Sequence, residues 1–71
     1  MSTEFDTGLP STRLIQSLIK DGREVEIKLL TDDLLVGKVQ WQDPNYLCLL
    51  DHYNQPTMVF RPAIAFIKPK A

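Results

Sequence analysis

The hydrophobic and polar positions fall into two periods. Val25, Ile27 and Leu29 alternate with Glu26 and Lys28, the two-residue period of a half-buried strand. Thr31-Asp32-Asp33 interrupts it with short polar side chains that favour a tight turn. A second strand follows from Leu34 to Trp41, with Leu35, Gly37, Val39 and Trp41 on one face. Gly37 marks a sharp bend or a close backbone approach, since it has no Cβ to obstruct either. Ahead of this hairpin the period changes. Leu14, Ile15, Leu18 and Ile19 form one helical stripe, while Arg13, Gln16, Ser17 and Lys20 point elsewhere. Thr12 is the expected N-cap, and Gly22, after Asp21, is the expected left-handed stop. Gln42-Asp43-Pro44-Asn45 is a turn. Tyr46 to Leu50 is almost wholly apolar and reads as a strand buried on both faces. Asp51 to Pro56 is a longer hairpin connection. Thr57 to Arg61 and Ala63 to Ile67 complete five strands, with Pro62 at the break because it cannot donate to a ladder.

One helix followed by five strands is an α+β arrangement with a strongly bent antiparallel sheet. The helix is short enough to be marginal in water alone, so it must lie on the sheet. Residues 1–10, which lack periodicity, read as a flexible arm; 11–67 form one domain, and 68–71 a short basic tail.

Composition narrows the picture. The chain has 71 residues, 44% of them hydrophobic. A domain this small commonly needs a disulfide, a metal or association of subunits. Cys48 is the only cysteine, which removes an internal disulfide, and no Cys/His cluster offers zinc ligands. Association is the remaining route. Eight basic residues face nine acidic ones, for a formal charge of −1. That argues against strong, general nucleic-acid binding, whose affinity comes mainly from neutralised phosphates. No segment has the length of a membrane span and the polar, acidic start is unlike a signal peptide, so the expected location is cytoplasmic.

Candidate chemistry is sparse. His52 is the single histidine, beside Asp51 in a loop, and reads as a solvated turn residue. Asp32 and Asp33 read as turn formers rather than a cation site. Cys48, within the most apolar strand, reads as a small buried hydrophobe. Neither an enzyme nor a cofactor protein is expected, and no metal site.

The strand, polar turn, apolar run, Gly37 and Asp43 resemble the first motif of the Sm-like family, and specifically of its Hfq branch of bacterial RNA chaperones. Phe60-Arg61-Pro62-Ala63-Ile64-Ala65 stands where the second motif reads aromatic-Lys-His-Ala-Ile-Ser. The resemblance spans about Ser11 to Ile67, with extra residues near Asn45 and Thr57. It implies an SH3-type small barrel in which the fourth strand of one subunit pairs with the fifth of its neighbour, closing a homo-hexameric ring. Such closure removes two sheet edges whose backbone groups would otherwise be unpaired. Val59, Ile64 and Ile67 are the apolar residues expected near that seam.

The same resemblance implies three RNA surfaces. On the proximal, helix-bearing face, Tyr46 matches the aromatic that stacks on uridine, a contact generally worth about 1–3 kcal/mol per base. Arg61 keeps a positive charge where the family has lysine. Pro62 replaces a histidine and donates nothing. Ser11 stands where a glutamine reads the base edge. Tyr46 and Phe60 have an alternative reading as seam residues. On the distal face Lys28 replaces an aromatic and Asp32-Asp33-Leu34-Leu35-Val36 replaces a Gly-Ile-Lys-Leu-Gln run, so carboxylates repeated around a ring would repel A-rich RNA. At the rim an arginine cluster becomes Ile19, Lys20, Asp21 and Gly22, leaving Arg13, Gln16 and Lys20 as rim candidates. This drift resembles the cyanobacterial branch of Hfq, which is associated with small-RNA regulation, with motility and with a protein partner at the type IV pilus base. Two functions are therefore expected, and they can coexist. One is a ring binding U-rich RNA weakly in post-transcriptional regulation. The other is a ring that docks a protein such as a pilus motor ATPase.

Overall fold

The computed structural model describes residues 8–70. Residues 1–7 of the expected arm, and Ala71, lie outside the described residues. Helix α1 runs Pro10–Asp21, followed by strands β1 Glu24–Leu29, β2 Leu34–Gln42, β3 Tyr46–Leu50, β4 Pro56–Phe60 and β5 Ile64–Pro69, with a short 3-10 turn at Arg61–Ala63 between the last two. The ordered elements thus extend slightly past both expected limits, residues 11 and 67.

The start of α1 differs from expectation. Leu9, not Thr12, is the N-cap, and no side chain caps it. Pro10 at the first helical position supplies the start instead, because its fixed φ suits a helix and its missing N–H would have been unpaired there. The Arg13 N–H donates to the Leu9 carbonyl at 2.9 Å, closing the first turn. Thr12, one turn in, faces the sheet and is buried. Its burial with Ile15 and Leu18 shifts the apolar stripe, leaving Leu14 exposed and Ile19 half-buried. Gly22 ends the helix as expected, in the left-handed region at φ 63°. Its N–H and that of Arg23 donate to the carbonyls of Ile19 and Leu18, satisfying two of the last helical acceptors.

The sheet order is β4-β3-β2-β1-β5 and all neighbours are antiparallel. Four strands form a meander, and the 3-10 turn swings the chain from one edge to the other so that β5 pairs with β1. The sheet stays open: β4 and β5 are its two edges. Pro62 lies inside the turn that separates them, the break expected of it.

Val25 and Ile27 on β1 are fully buried and, with Val39, Leu47, Leu49, Val59, Ile15 and Leu18, make the core between sheet and helix. Gly37 is required by close approach. A Cβ there would collide with the backbone carbonyl of Leu50 and lie 3.1 Å from Leu49 Cγ. Of the two readings of Gly37, a sharp bend or a close backbone approach, this is the second. What periodicity did not foresee is a bulge between Val39 and Trp41. Val39 pairs with Leu49, but Trp41 pairs with Cys48 and Gln42 with Leu47. The extra residue, Gln40, reverses the alternation. Trp41 therefore leaves the core face expected for it, with 39% exposure, and Gln42 is brought to the helix side.

Candidate functional site

The side chains with binding chemistry gather where β2, β3 and the 3-10 turn meet. Asp43 organises the β2–β3 turn. Its Oδ1 accepts from the backbone N–H groups of Asn45 at 2.9 Å and Tyr46 at 2.7 Å, while its own N–H donates to the Tyr46 carbonyl. A short carboxylate side chain bonding two residues ahead is the usual device of such turns. It starts β3 with Tyr46, which faces Phe60 directly across the β3–β4 ladder. Their ring centroids are 5.5 Å apart with planes tilted by 52°. Both rings are partly exposed, Tyr46 by 37% and Phe60 by 49%. The tilted geometry suits the aromatic quadrupoles and leaves ring area on the surface.

Arg61 follows Phe60 and opens the 3-10 turn. Its backbone N–H donates to the Asn45 carbonyl at 2.8 Å, fixing the turn against the β2–β3 loop. Its guanidinium Nη1 donates to Gln42 Oε1 at 2.8 Å. Gln42 Nε2 in turn donates to Gln16 Oε1 at 2.7 Å and to the Thr12 carbonyl at 3.3 Å. One amide thus joins β2, α1 and the 3-10 turn. Gln42 is the residue that the sequence reading missed. Strict alternation places it away from the helix, and only the bulge turns it inward.

The structure brings Tyr46, Phe60 and Arg61 together and leaves Ser11 apart. Ser11 lies in the first turn of α1 and lines an apolar groove of about 270 Å³ with Leu14, Leu18, Ile64, Phe66 and Ile67. That groove runs along β5, the opposite edge from β4. Of the expected seam residues, Ile64 and Ile67 lie half-buried on this edge. Val59 is different: it is 5% exposed and belongs to the core, because alternation on β4 turns it inward and turns Met58 and Phe60 outward. Of the rim candidates, Arg13 and Lys20 are exposed on α1, and Gln16 is engaged by Gln42.

The distal candidates lie at the far end of the β1–β2 hairpin. Lys28 Nζ is 3.1 Å from Asp32 Oδ1, Thr31 Oγ1 donates to Asp33 Oδ2 at 2.8 Å, and Leu34 is 51% exposed. Asp32 holds a left-handed φ of 78°. His52 Nδ1 lies 3.7 Å from Glu24 Oε2, and Cys48 is buried. Among the described residues no three His, Cys, Asp or Glu side chains gather to hold a metal ion, and no helix is long and apolar enough to cross a membrane.

Comparison with known proteins now gives this architecture a family. The model of the Hfq-related family matches residues 9–69. The crystal structure of an Hfq protein from Anabaena sp. superposes with a TM-score of 0.81 at 46% identity, covering 89% of this chain and all of that one. A second crystal structure, of the pleiotropic translational regulator Hfq, superposes with a TM-score of 0.76 at 14% identity, covering 80% of this chain and 93% of that one; at that identity it speaks for the fold alone. No curated protein matches the chain. The chain belongs to the Hfq-related family, and with it to the Sm-like fold. The family is not enzymatic.

Proposed function

We propose that this chain assembles into an Hfq-like hexameric ring that acts in the cytosol in post-transcriptional and small-RNA regulation. In this reading U-rich RNA binds weakly on the helix-bearing face, and A-rich RNA binds poorly on the opposite one. The observation that carries it is the partly exposed Tyr46–Phe60 pair with Arg61 next in the chain. An aromatic platform beside a cation is the minimal device for holding a single-stranded base and its phosphate. Ring assembly is supported by the two open edges. An edge strand with unpaired backbone groups gains most by pairing with another copy. Met58 and Phe60 lie outward on β4, and the groove of Leu14, Phe66 and Ile67 runs along β5. Ser11 lines the groove along β5 and Tyr46 stands on β3, next to the β4 edge, so in this reading ring closure brings Ser11 of one subunit towards Tyr46 of its neighbour.

Weakness follows from charge and from Pro62. The formal charge is −1, and a proline has no donor to offer at the pore. For the opposite face, Asp32 and Asp33 project at the hairpin tip and Lys28 is engaged by Asp32. A ring repeating those carboxylates repels phosphate.

Titrating labelled oligo-U and oligo-A at two salt concentrations tests the reading. Oligo-U is expected to bind in the micromolar range, with a salt dependence that Arg61→Ala reduces; oligo-A is expected to bind more weakly still. Submicromolar oligo-A binding at physiological salt would sink the distal half of the proposal. A monomer in native mass measurement would sink all of it.

A second reading has its own observation. Leu34 is half-exposed beside Asp32 and Asp33, an apolar and acidic surface that suits a basic, apolar peptide better than RNA. On this reading the ring docks a protein partner, such as a type IV pilus motor ATPase, to control motility. Loss of partner binding in Leu34→Lys with oligo-U affinity unchanged would favour it.

A further inference from the structure

We propose that Gln42 is a positioning residue for Arg61, setting where the cation stands on the helix-bearing face; this rests on the reading of that face as an RNA surface.

The hydrogen-bond directions identify the residue as more than a packing element. A guanidinium only donates, so the Gln42 atom facing Arg61 Nη1 at 2.8 Å must be the acceptor, Oε1. A backbone carbonyl only accepts, so the atom facing Thr12 must be the donor, Nε2. The two demands agree on one amide orientation, and the bond to Gln16 Oε1 at 2.7 Å completes it. No other residue type serves both sides with this shape. Glutamate would accept from Arg61 but turn a lone pair towards the Thr12 carbonyl. Methionine would fill the space and bond neither.

Arginine has many rotamers, and holding it beforehand lowers the entropic cost of each contact it makes to a ligand. Gln42 reaches that position only through the bulge at Gln40, and its other bonds are anchored on α1. The placement of Arg61 is therefore linked to α1 through the Gln42 side chain. Gln16, on the rim, shares the same amide, so the rim and the aromatic–Arg61 cluster are not independent surfaces.

A double-mutant cycle with a labelled oligo-U probe on the assembled protein tests this. Gln42→Met is expected to weaken oligo-U binding roughly 3- to 10-fold and to leave the salt dependence intact, because no charge is lost. In an Arg61→Ala background the same substitution is expected to change nothing further. An equal loss in both backgrounds would mean that Gln42 acts through the fold alone, and would overturn the proposal. A second measurement is independent of RNA. The Arg61 side-chain N–H signals in nuclear magnetic resonance spectra are expected to be dispersed and slowly exchanging in the unsubstituted protein and to collapse in Gln42→Met. Unchanged signals would overturn the positioning role. If oligo-U does not bind the unsubstituted protein at all, the RNA reading fails, and the Arg61 signals alone decide whether Gln42 positions that residue.

Discussion

The β1–β2 hairpin is held differently at its two ends. At the Thr31–Asp33 turn the side-chain bonds are local, Thr31 to Asp33 and Lys28 to Asp32, and the distant tie is a backbone bond from the neighbouring Leu30 N–H to the Ala63 carbonyl at 2.8 Å. At the other end Gln42 bonds Thr12, Gln16 and Arg61, which stand 30, 26 and 19 positions away in the chain. Local bonds can form as soon as the turn does. The distant ones exist only once α1 has docked and the sheet has bent. Changes to the exposed polar side chains of the turn should therefore remodel a surface and leave the Leu30–Ala63 backbone bond in place, whereas changes at Gln42 should be felt in both helix and 3-10 turn. The acidic, apolar character of the turn and the aromatic–cationic character of the opposite end can then vary separately, which is how one ring could keep one binding face while altering another.

Gly37 lies between the two ends, and substituting it should break the contrast most severely. Gly37→Ala drives a Cβ into the Leu50 backbone, which cannot move aside as a side chain would. A loss of about 3 kcal/mol is expected, seen as a thermal midpoint lowered by roughly 10 °C or more. A midpoint unchanged within error would show that the bend tolerates a side chain. Gln42→Met comes next. It removes three hydrogen bonds of an incompletely buried amide and should cost about 1–2 kcal/mol in denaturant unfolding. Faster amide exchange should appear in α1 and near Arg61 but not at the hairpin tip. The smallest effect is expected at Asp32. Asp32→Gly relieves a left-handed backbone and loses an exposed ion pair, so stability should stay within about 0.5 kcal/mol. A larger shift there, or one comparable to Gln42→Met, would erase the distinction between the ends.

Much of the fold was legible in the pattern of residues because it depends on local period. Val25 and Ile27 alternate with charged neighbours and are the two fully buried residues of β1. Pro62 falls in the break between β4 and β5, and Gly22 caps the helix. Thr12 misled because its side chain has two uses: a hydroxyl suits an N-cap, but a small β-branched group also fits under a helix, and Pro10 had already started that helix. Trp41 misled because a bulge inserts one residue without any marker in the chain. The same insertion hid Gln42. Val59 looked like an edge residue by its strand but is an interior one by its parity.

From the sequence alone came the elements and their order, the need for a glycine at position 37, and the family resemblance, which in turn implied Tyr46 and Arg61 as candidate chemistry. The elements and the glycine follow from side-chain period, backbone freedom and residue type, properties that each segment carries with it. The tertiary structure alone decided which face Trp41 and Gln42 occupy, that Ser11 lines the groove beside β5, and that Arg61 is bonded to Gln42. Those depend on register and on contacts between segments far apart in the chain, and a single bulged residue is enough to reverse them.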